Sequence, residues 1–259
     1  MSAKAILKLV ILALLVWAIL FSGCMALGIQ KGTDQTEEFY SQMAVFRPPN
    51  PGASSGASIA MSGAGAGVQS IGGDDDWSGA VVANLKTEYP DSVGWLNIPF
   101  TGVDYPFAQA RNNRYYLDRD LSGDYLAAGT LFTDCDNSAD FTDFNTIIYG
   151  HHMKDGTMFA GLDAYADVEF FSNHTAGRIF LEEQVLDIEF FAYVITRADD
   201  ETLYDIPADA KGQKKLLASI RDKARIYEDI GVSTEDRIVT LSTCAYEFKD
   251  ARLLLIGRL

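Results

Sequence analysis

The chain has 259 residues, 48% of them hydrophobic, which suffices for one good core or two small ones without disulfides or metal. Its formal net charge of -15 leaves no basic face for phosphate and so excludes a nucleic-acid partner. Three widely separated cysteines do not make a disulfide framework.

Lys4 and Lys8 lie in a short N-terminus, residues 1–8, ahead of an uncharged apolar run over 9–29. That run is long enough to cross a bilayer, which takes about 20 residues as a helix. Acidic Asp34, Glu37 and Glu38 follow it, so the positive-inside rule keeps residues 1–8 in the cytoplasm and sends the rest outside. A charged start and an apolar core also describe a cleaved signal peptide, and Leu20-Phe21-Ser22-Gly23-Cys24 resembles a lipobox with Cys24 as the lipid-bearing residue. Length favours an uncleaved transmembrane anchor.

Residues 30–76 change character. Arg47-Pro48-Pro49-Asn50-Pro51 leads into a Gly/Ala/Ser-rich stretch with little apolar surface to offset its ordering entropy, which reads as a flexible linker. The only regular element the sequence offers there is a short helix over 37–46. The folded part is expected over 77–259. Asp74, Asp75 and Asp76 suit a helix start, and Trp77, Val81, Leu85 and Tyr89 recur at helical spacing until Pro90 ends the run.

Eight short apolar or aromatic runs follow, at 94–98, 105–108, 130–133, 145–149, 178–181, 185–196, 237–242 and 253–257, separated by Gly, Pro, Asn and Asp. Many short strands with turn signals predict a sandwich or a barrel. Helical spacing appears at 157–165, where Met158, Phe159 and Leu162 align, and at 208–228, where Leu216, Leu217, Ile220, Ala224 and Tyr227 share a face opposite Lys and Arg.

Chemistry concentrates at three strand ends. The run at 238–241 delivers Cys244, and a second apolar run starts directly after Arg252. On neighbouring strands a thiolate could attack a carbonyl while the guanidinium steadies the oxyanion. A lone cysteine is commonly a core residue, so it also needs a base or a cationic partner. His151 and His152 follow the run at 145–149, and since adjacent strand residues point to opposite sides, only one of them can face the thiol.

Thr240-Leu241-Ser242-Thr243-Cys244 with Arg252, together with Tyr149-Gly150-His151-His152-Met153 and the following Lys154-Asp155-Gly156-Thr157-Met158-Phe159, resembles the sortases of class B. So do Val93-Gly94-Trp95-Leu96-Asn97-Ile98-Pro99, Val103-Asp104-Tyr105-Pro106-Phe107 and Asn112-Asn113-Arg114-Tyr115-Tyr116-Leu117. The resemblance implies a mainly β fold with helices: a closed eight-stranded sortase-type barrel with an N-terminal helix and a helix before the cysteine strand. It also implies a cysteine transpeptidase. Cys244 would attack the scissile carbonyl of a C-terminal sorting signal on a secreted protein, His151 would exchange protons with the leaving and incoming amines, and Arg252 would hold the oxyanion.

The Tyr-Gly-His order selects His151 over His152; His174 has no such neighbours and is expected at the surface. Asn113, Leu117 and Ser242 are candidate substrate-groove residues, Ser242 because it shares a strand face with Cys244, and the helix at 208–228 is a candidate wall of that groove. The implied partners are sorting-signal proteins, a peptidoglycan precursor or pilin amine as acceptor, and the membrane through the N-terminal helix, at the outer face of a Gram-positive cell. No cofactor is expected. Cys135 reads as incidental, and Asp134, Asp136, Asp140 and Asp143 lack the spacing of a calcium loop. With Leu259 so close to the arginine strand, no C-terminal extension is expected at the site. Two other readings stay open: a cell-wall cysteine peptidase or amidase that passes the acyl group to water, disfavoured because His precedes Cys, and a binding module that has kept the barrel without the chemistry.

Overall fold

A computed structural model describes residues 34–49 and 78–259. The short apolar runs pair into one sheet: β1 (Ser92–Ile98), β2 (Val103–Ala108), β3 (Leu131–Thr133), β4 (Asn145–Tyr149), β5 (Ala176–Phe180), β6 (Val185–Arg197), β7 (Ala224–Tyr227), β8 (Ile238–Cys244) and β9 (Ala251–Arg258). Their order is β5-β1-β2-β3-β4-β8-β9-β6-β7, and an antiparallel β5–β6 pairing joins the ends so that eight strands close a barrel. Closure removes the free edges that an open sheet would expose. All eight runs expected from the sequence are barrel strands.

The sheet is mixed. β2 runs parallel to β3 and β4 parallel to β8, and the remaining pairs are antiparallel. One level of the register runs from Ala108 to Phe132, Tyr149, Ser242, Leu254 and Val194. Alternation then sorts side chains between two cores. Ile148, Val239, Leu241, Leu253 and Leu255 point into the barrel, whereas Ile238, Leu254 and Ile256 point outward and join Leu216 and Ile220 of a covering helix. The unbroken run Leu253-Leu254-Leu255-Ile256 is apolar throughout because both of its faces are covered.

That helix, α4, spans Ala210–Lys223 and starts at Asp209, whose carboxylate accepts from the Gly212 backbone N–H at 2.7 Å. It is shorter than the helix expected over 208–228. The chain turns extended at Ala224, and β7 takes the free backbone of β6 through Val194↔Ala224 and Tyr193↔Ile226. Ladder bonds to an open strand outweigh the helical spacing of Ala224 and Tyr227.

Two shifts occur upstream. The helix before β1, α2, spans Ala80–Glu88 from Gly79, a later start than expected, so Val82 rather than Val81 is fully buried with Leu85. Asp74 to Trp77 lie outside the described residues. Residues 34–43 form a helix, α1, followed by a 3-10 turn at Ala44–Phe46. Phe39 and Met43 enter the barrel's core cluster, the Tyr40 hydroxyl donates to the Gly129 carbonyl at 2.9 Å, and Arg47 pairs with Asp104. A segment placed in the linker by its composition is thus packed on the barrel. Behind β4, Phe159–Ala166 is a 3-10 helix with Phe159 and Leu162 fully buried, and α3 (Val168–Asn173) follows. Among the described residues no helix is long and apolar enough to cross a membrane. The anchor expected at 9–29, Cys24 and most of the expected linker lie outside those residues.

Candidate active site

The candidate reactive groups sit where three neighbouring strands meet. On β8, Cys244 is the Cα partner of Arg252 on β9. On its other side β8 runs parallel to β4 with Tyr149 level with Ser242, and the Gly150 N–H continues the ladder to the Ser242 carbonyl at 3.1 Å. The same register, extended two residues past its last pair, leads His151 toward Cys244. Parity decides the face: Ser242, Cys244, Leu254 and Arg252 alternate with the barrel-filling Leu241 and Leu253, so thiol and guanidinium lie on the outer face. Cys244 and Arg252 are half-buried.

Gly150 has a packing reason. A Cβ there would lie 2.4 Å from Leu131 Cδ2 and 2.6 Å from Phe159 Cδ2, so only glycine lets the histidine strand pass between them.

The two histidines separate as strand alternation requires. His151 Nε2 lies 2.6 Å from the Leu117 carbonyl oxygen, which can only accept, so Nε2 carries the proton and Nδ1 is left free to exchange one. His152 Nε2 instead meets Asp163 Oδ2 at 2.7 Å, and its Nδ1 is buried without a partner. His174 is half-buried, stacked on Phe170 and edge-on to Phe100, with Nδ1 2.9 Å from the Phe170 carbonyl oxygen.

The expected groove residues are placed unequally. Leu117 is exposed beside His151, through the carbonyl just described. Ser242 is buried, with Oγ 2.8 Å from the Tyr204 hydroxyl. Asn113 spends its side chain on the chain itself: its Nδ2 donates to Asp134 Oδ2 and its Oδ1 accepts from the Cys135 N–H, both at 2.8 Å. Asp134 Oδ2 also accepts the Tyr149 hydroxyl at 2.8 Å. Burial, then the Asp134 carboxylate, push the Tyr149 phenol well above its ordinary value, so it stays a donor.

Asp134, Cys135 and Asp136 bring three possible metal-ligand atoms within 4.8 Å. Asp134 is already engaged by Asn113, Tyr149 and the Asp136 N–H. Burial and the two flanking carboxylates raise the Cys135 thiol, which makes it a poor nucleophile at neutral pH.

Tyr204 is the residue that sequence reasoning missed. It lies in the loop between β6 and α4, stacks on Tyr149 with ring centroids 6.2 Å apart and planes at 14°, and reaches Ser242. Burial raises its phenol, while the Ser242 bond and the Arg252 guanidinium draw it back and Cys244 opposes them, so it lies within electrostatic reach of both reactive groups. Its only signal was an aromatic in an otherwise acidic loop. That loop lies directly ahead of the helix expected to wall the groove.

Known proteins share this sequence pattern and fold. The chain is 37% identical over 181 residues to sortase B of Listeria monocytogenes, covering 68% of this chain and 72% of that protein. It is 32% identical over 179 residues to sortase B of Staphylococcus aureus, covering 68% and 73%. Among solved structures, Clostridium perfringens sortase B superposes with a TM-score of 0.65 at 28% identity over 68% of this chain and 98% of that one. A sortase B–substrate complex from S. aureus gives 0.66 at 26% over 71% and 86%. A Streptococcus pyogenes class B sortase involved in pilus biogenesis gives 0.63 at 32% over 68% and 96%. No family model matches.

Proposed function

The chain belongs to the class B sortases and is a cysteine transpeptidase, and from this premise we propose that Cys244, His151 and Arg252 carry its chemistry on a sorting signal. The supporting observation is the register that pairs Cys244 with Arg252 and brings Tyr149, two residues before His151, level with Ser242, two residues before Cys244.

Cys244 passes its thiol proton to His151 Nδ1, and the thiolate Sγ attacks the carbonyl carbon of the scissile amide. The negative charge that gathers on the carbonyl oxygen is met by the Arg252 guanidinium, whose Nη1 is steadied by the Ala251 carbonyl at 3.0 Å. The C–N bond then breaks, and His151 Nδ1 gives a proton to the departing amine, leaving a thioacyl enzyme. An incoming amine attacks the thioester and loses its proton to His151, and the new amide forms as Cys244 departs. The Leu117 carbonyl serves this cycle by holding the Nε2 proton, so that every exchange passes through Nδ1.

The groove is bounded by Leu117, Ser242 and Tyr204, with Asn113 acting behind it by fixing Asp134 and, through it, Tyr149. The signal would be an Asn-Pro-x-Thr-x type pentapeptide on a secreted protein, and the acceptor a peptidoglycan precursor or pilin amine. Residues 9–29 would hold the enzyme at the outer face of the membrane.

The test is mass spectrometry of the full chain with a library of sorting-signal peptides, with and without an amine. A thioacyl adduct that passes to the amine, and that Cys244→Ala removes with a loss of about 10³-fold or more in turnover, is the expected result. An adduct that resolves only to hydrolysed peptide with every amine tried would point to the peptidase reading. Turnover surviving in Cys244→Ala would remove the assigned nucleophile.

A further inference from the structure

The proposed chemistry uses one of two adjacent histidines, and the other is held more elaborately. His152 Nε2 meets Asp163 Oδ2 at 2.7 Å. Its ring lies edge-on to Tyr246, with centroids 5.1 Å apart and planes at 89°, and its carbonyl accepts the Tyr246 hydroxyl at 3.3 Å. A bridge to Met158 closes the loop behind it. With Nδ1 buried and Nε2 taken by a carboxylate, His152 has no nitrogen to offer a substrate.

Its partners belong to two different parts of the site. Asp163 sits on the 3-10 helix Phe159–Ala166, which Phe159, Leu162 and Tyr165 fix to the core. Tyr246 comes two residues after Cys244, in the turn between β8 and β9, and is 69% exposed. An exposed tyrosine whose ring and hydroxyl both return to one residue of another loop is not filling a core. Asp163 is itself 61% exposed, so its pair with His152 adds little to stability, and what it supplies is direction.

We propose that His152, Asp163 and Tyr246 form a latch that sets the position of the histidine loop relative to the cysteine turn, which makes His152 a positioning residue for the thiol chemistry. This rests on the assignment of Cys244 and His151 above. His151 and His152 share a peptide unit, so fixing the ring and the carbonyl of His152 restricts the backbone that aims His151. Tyr246 restricts the turn that follows Cys244 in the same way. Misplacing reacting groups by about 1 Å can cost on the order of 10²-fold in rate, which is the size of effect such a latch controls.

The experiment follows peptide cleavage and transfer by the full chain, separating kcat from KM. His152→Ala is expected to lower kcat by about 10- to 100-fold with KM within about two-fold, because the groove is untouched. His152→Gln, whose amide nitrogen can reach Asp163, should recover most of that loss. Asp163→Ala should resemble His152→Ala, and the double variant should be no worse than either single one, as for residues acting as a unit. Unchanged kcat in His152→Ala, a change in KM alone, or a glutamine variant no better than alanine overturns the latch. Should His152→Ala fail to fold, Tyr246→Ala at the exposed position carries the test: a several-fold fall in kcat is expected, and none overturns it. Cys244→Ala and His151→Ala run alongside. Full activity in His151→Ala would overturn the catalytic assignment itself, whereas wild-type kcat in His152→Ala beside an inactive His151→Ala overturns the latch alone.

Discussion

The floor of the proposed site and its proposed wall are held by different forces. The floor is three paired strands: Ile148, Val239, Leu241, Leu253 and Leu255 are buried beneath it, and continuous ladders tie β4 to β8 and β8 to β9. The wall, the loop between β6 and α4, leans on a few side chains. Asp200 Oδ2 accepts from Thr196 Oγ1 and Lys223 Nζ, each at 2.6 Å, and the buried Asn145 donates to the Asp205 carbonyl at 3.0 Å. Cys244 and Arg252 are therefore placed by backbone register, which substitutions at the surface do not move, while Tyr204 is placed by contacts that one substitution can remove. Chemistry and recognition should fail separately.

Replacing Arg252 tests the floor and carries the largest expected effect. Arg252→Ala should lower kcat by about 10²- to 10³-fold, as removing an oxyanion donor does elsewhere, with the thermal midpoint little changed because the ladder remains. Arg252→Lys should recover little of it, since an ammonium cannot reproduce the planar fork of donors. A loss smaller than about ten-fold in the alanine variant, measured by steady-state turnover, would separate Arg252 from the oxyanion.

The same division explains what could be read from the sequence. The floor was legible because a strand announces itself locally: β-branched and aromatic runs ended at His151 and Cys244 and began after Arg252, and alternation then placed Ser242 on the face of the thiol. The wall was not, because its contacts join residues distant in the chain and leave no period. Tyr204 meets Ser242 across 38 residues, and Asp205 meets Asn145 across 60. β7 was hidden for another reason: Ala224 and Tyr227 continue the apolar spacing of α4, and only the unpaired side of β6 draws them into the sheet. The helix α1 was expected, as a short helix over 37–46; what the linker composition around it hid is that Phe39 and Met43 pack into the barrel's core.

Tyr204→Phe tests the wall. It keeps the ring on Tyr149 and removes the hydroxyl that meets Ser242. Losing one such hydrogen bond is worth ~1 kcal/mol, so KM for a sorting-signal peptide should rise about five-fold with kcat unchanged. A fall in kcat with KM constant would place Tyr204 with the chemistry and erase the distinction between wall and floor.

The smallest effect is the most selective. Burial alone would raise the Asp200 carboxyl, but hydrogen bonds from Lys223, Thr196 and the Leu203 N–H outweigh it and leave it below its ordinary value of about 3.9. A carboxyl lowered by folding contributes stability in full above its unfolded value, and that contribution is lost as pH falls from there through the folded value. The Leu203 and Tyr204 amides bond to the Asp200 carbonyl, so they report the clamp directly. Their hydrogen-exchange protection should drop below about pH 4 while that of Val239 and Leu241 persists, because local opening of the loop does not require the sheet to open. Asp200→Asn should lower the protection of the two loop amides at neutral pH and remove its acid dependence. If loop and strand amides lose protection together on acidification, the wall is part of the same cooperative unit as the floor, and substitutions in it should then disturb kcat as readily as KM.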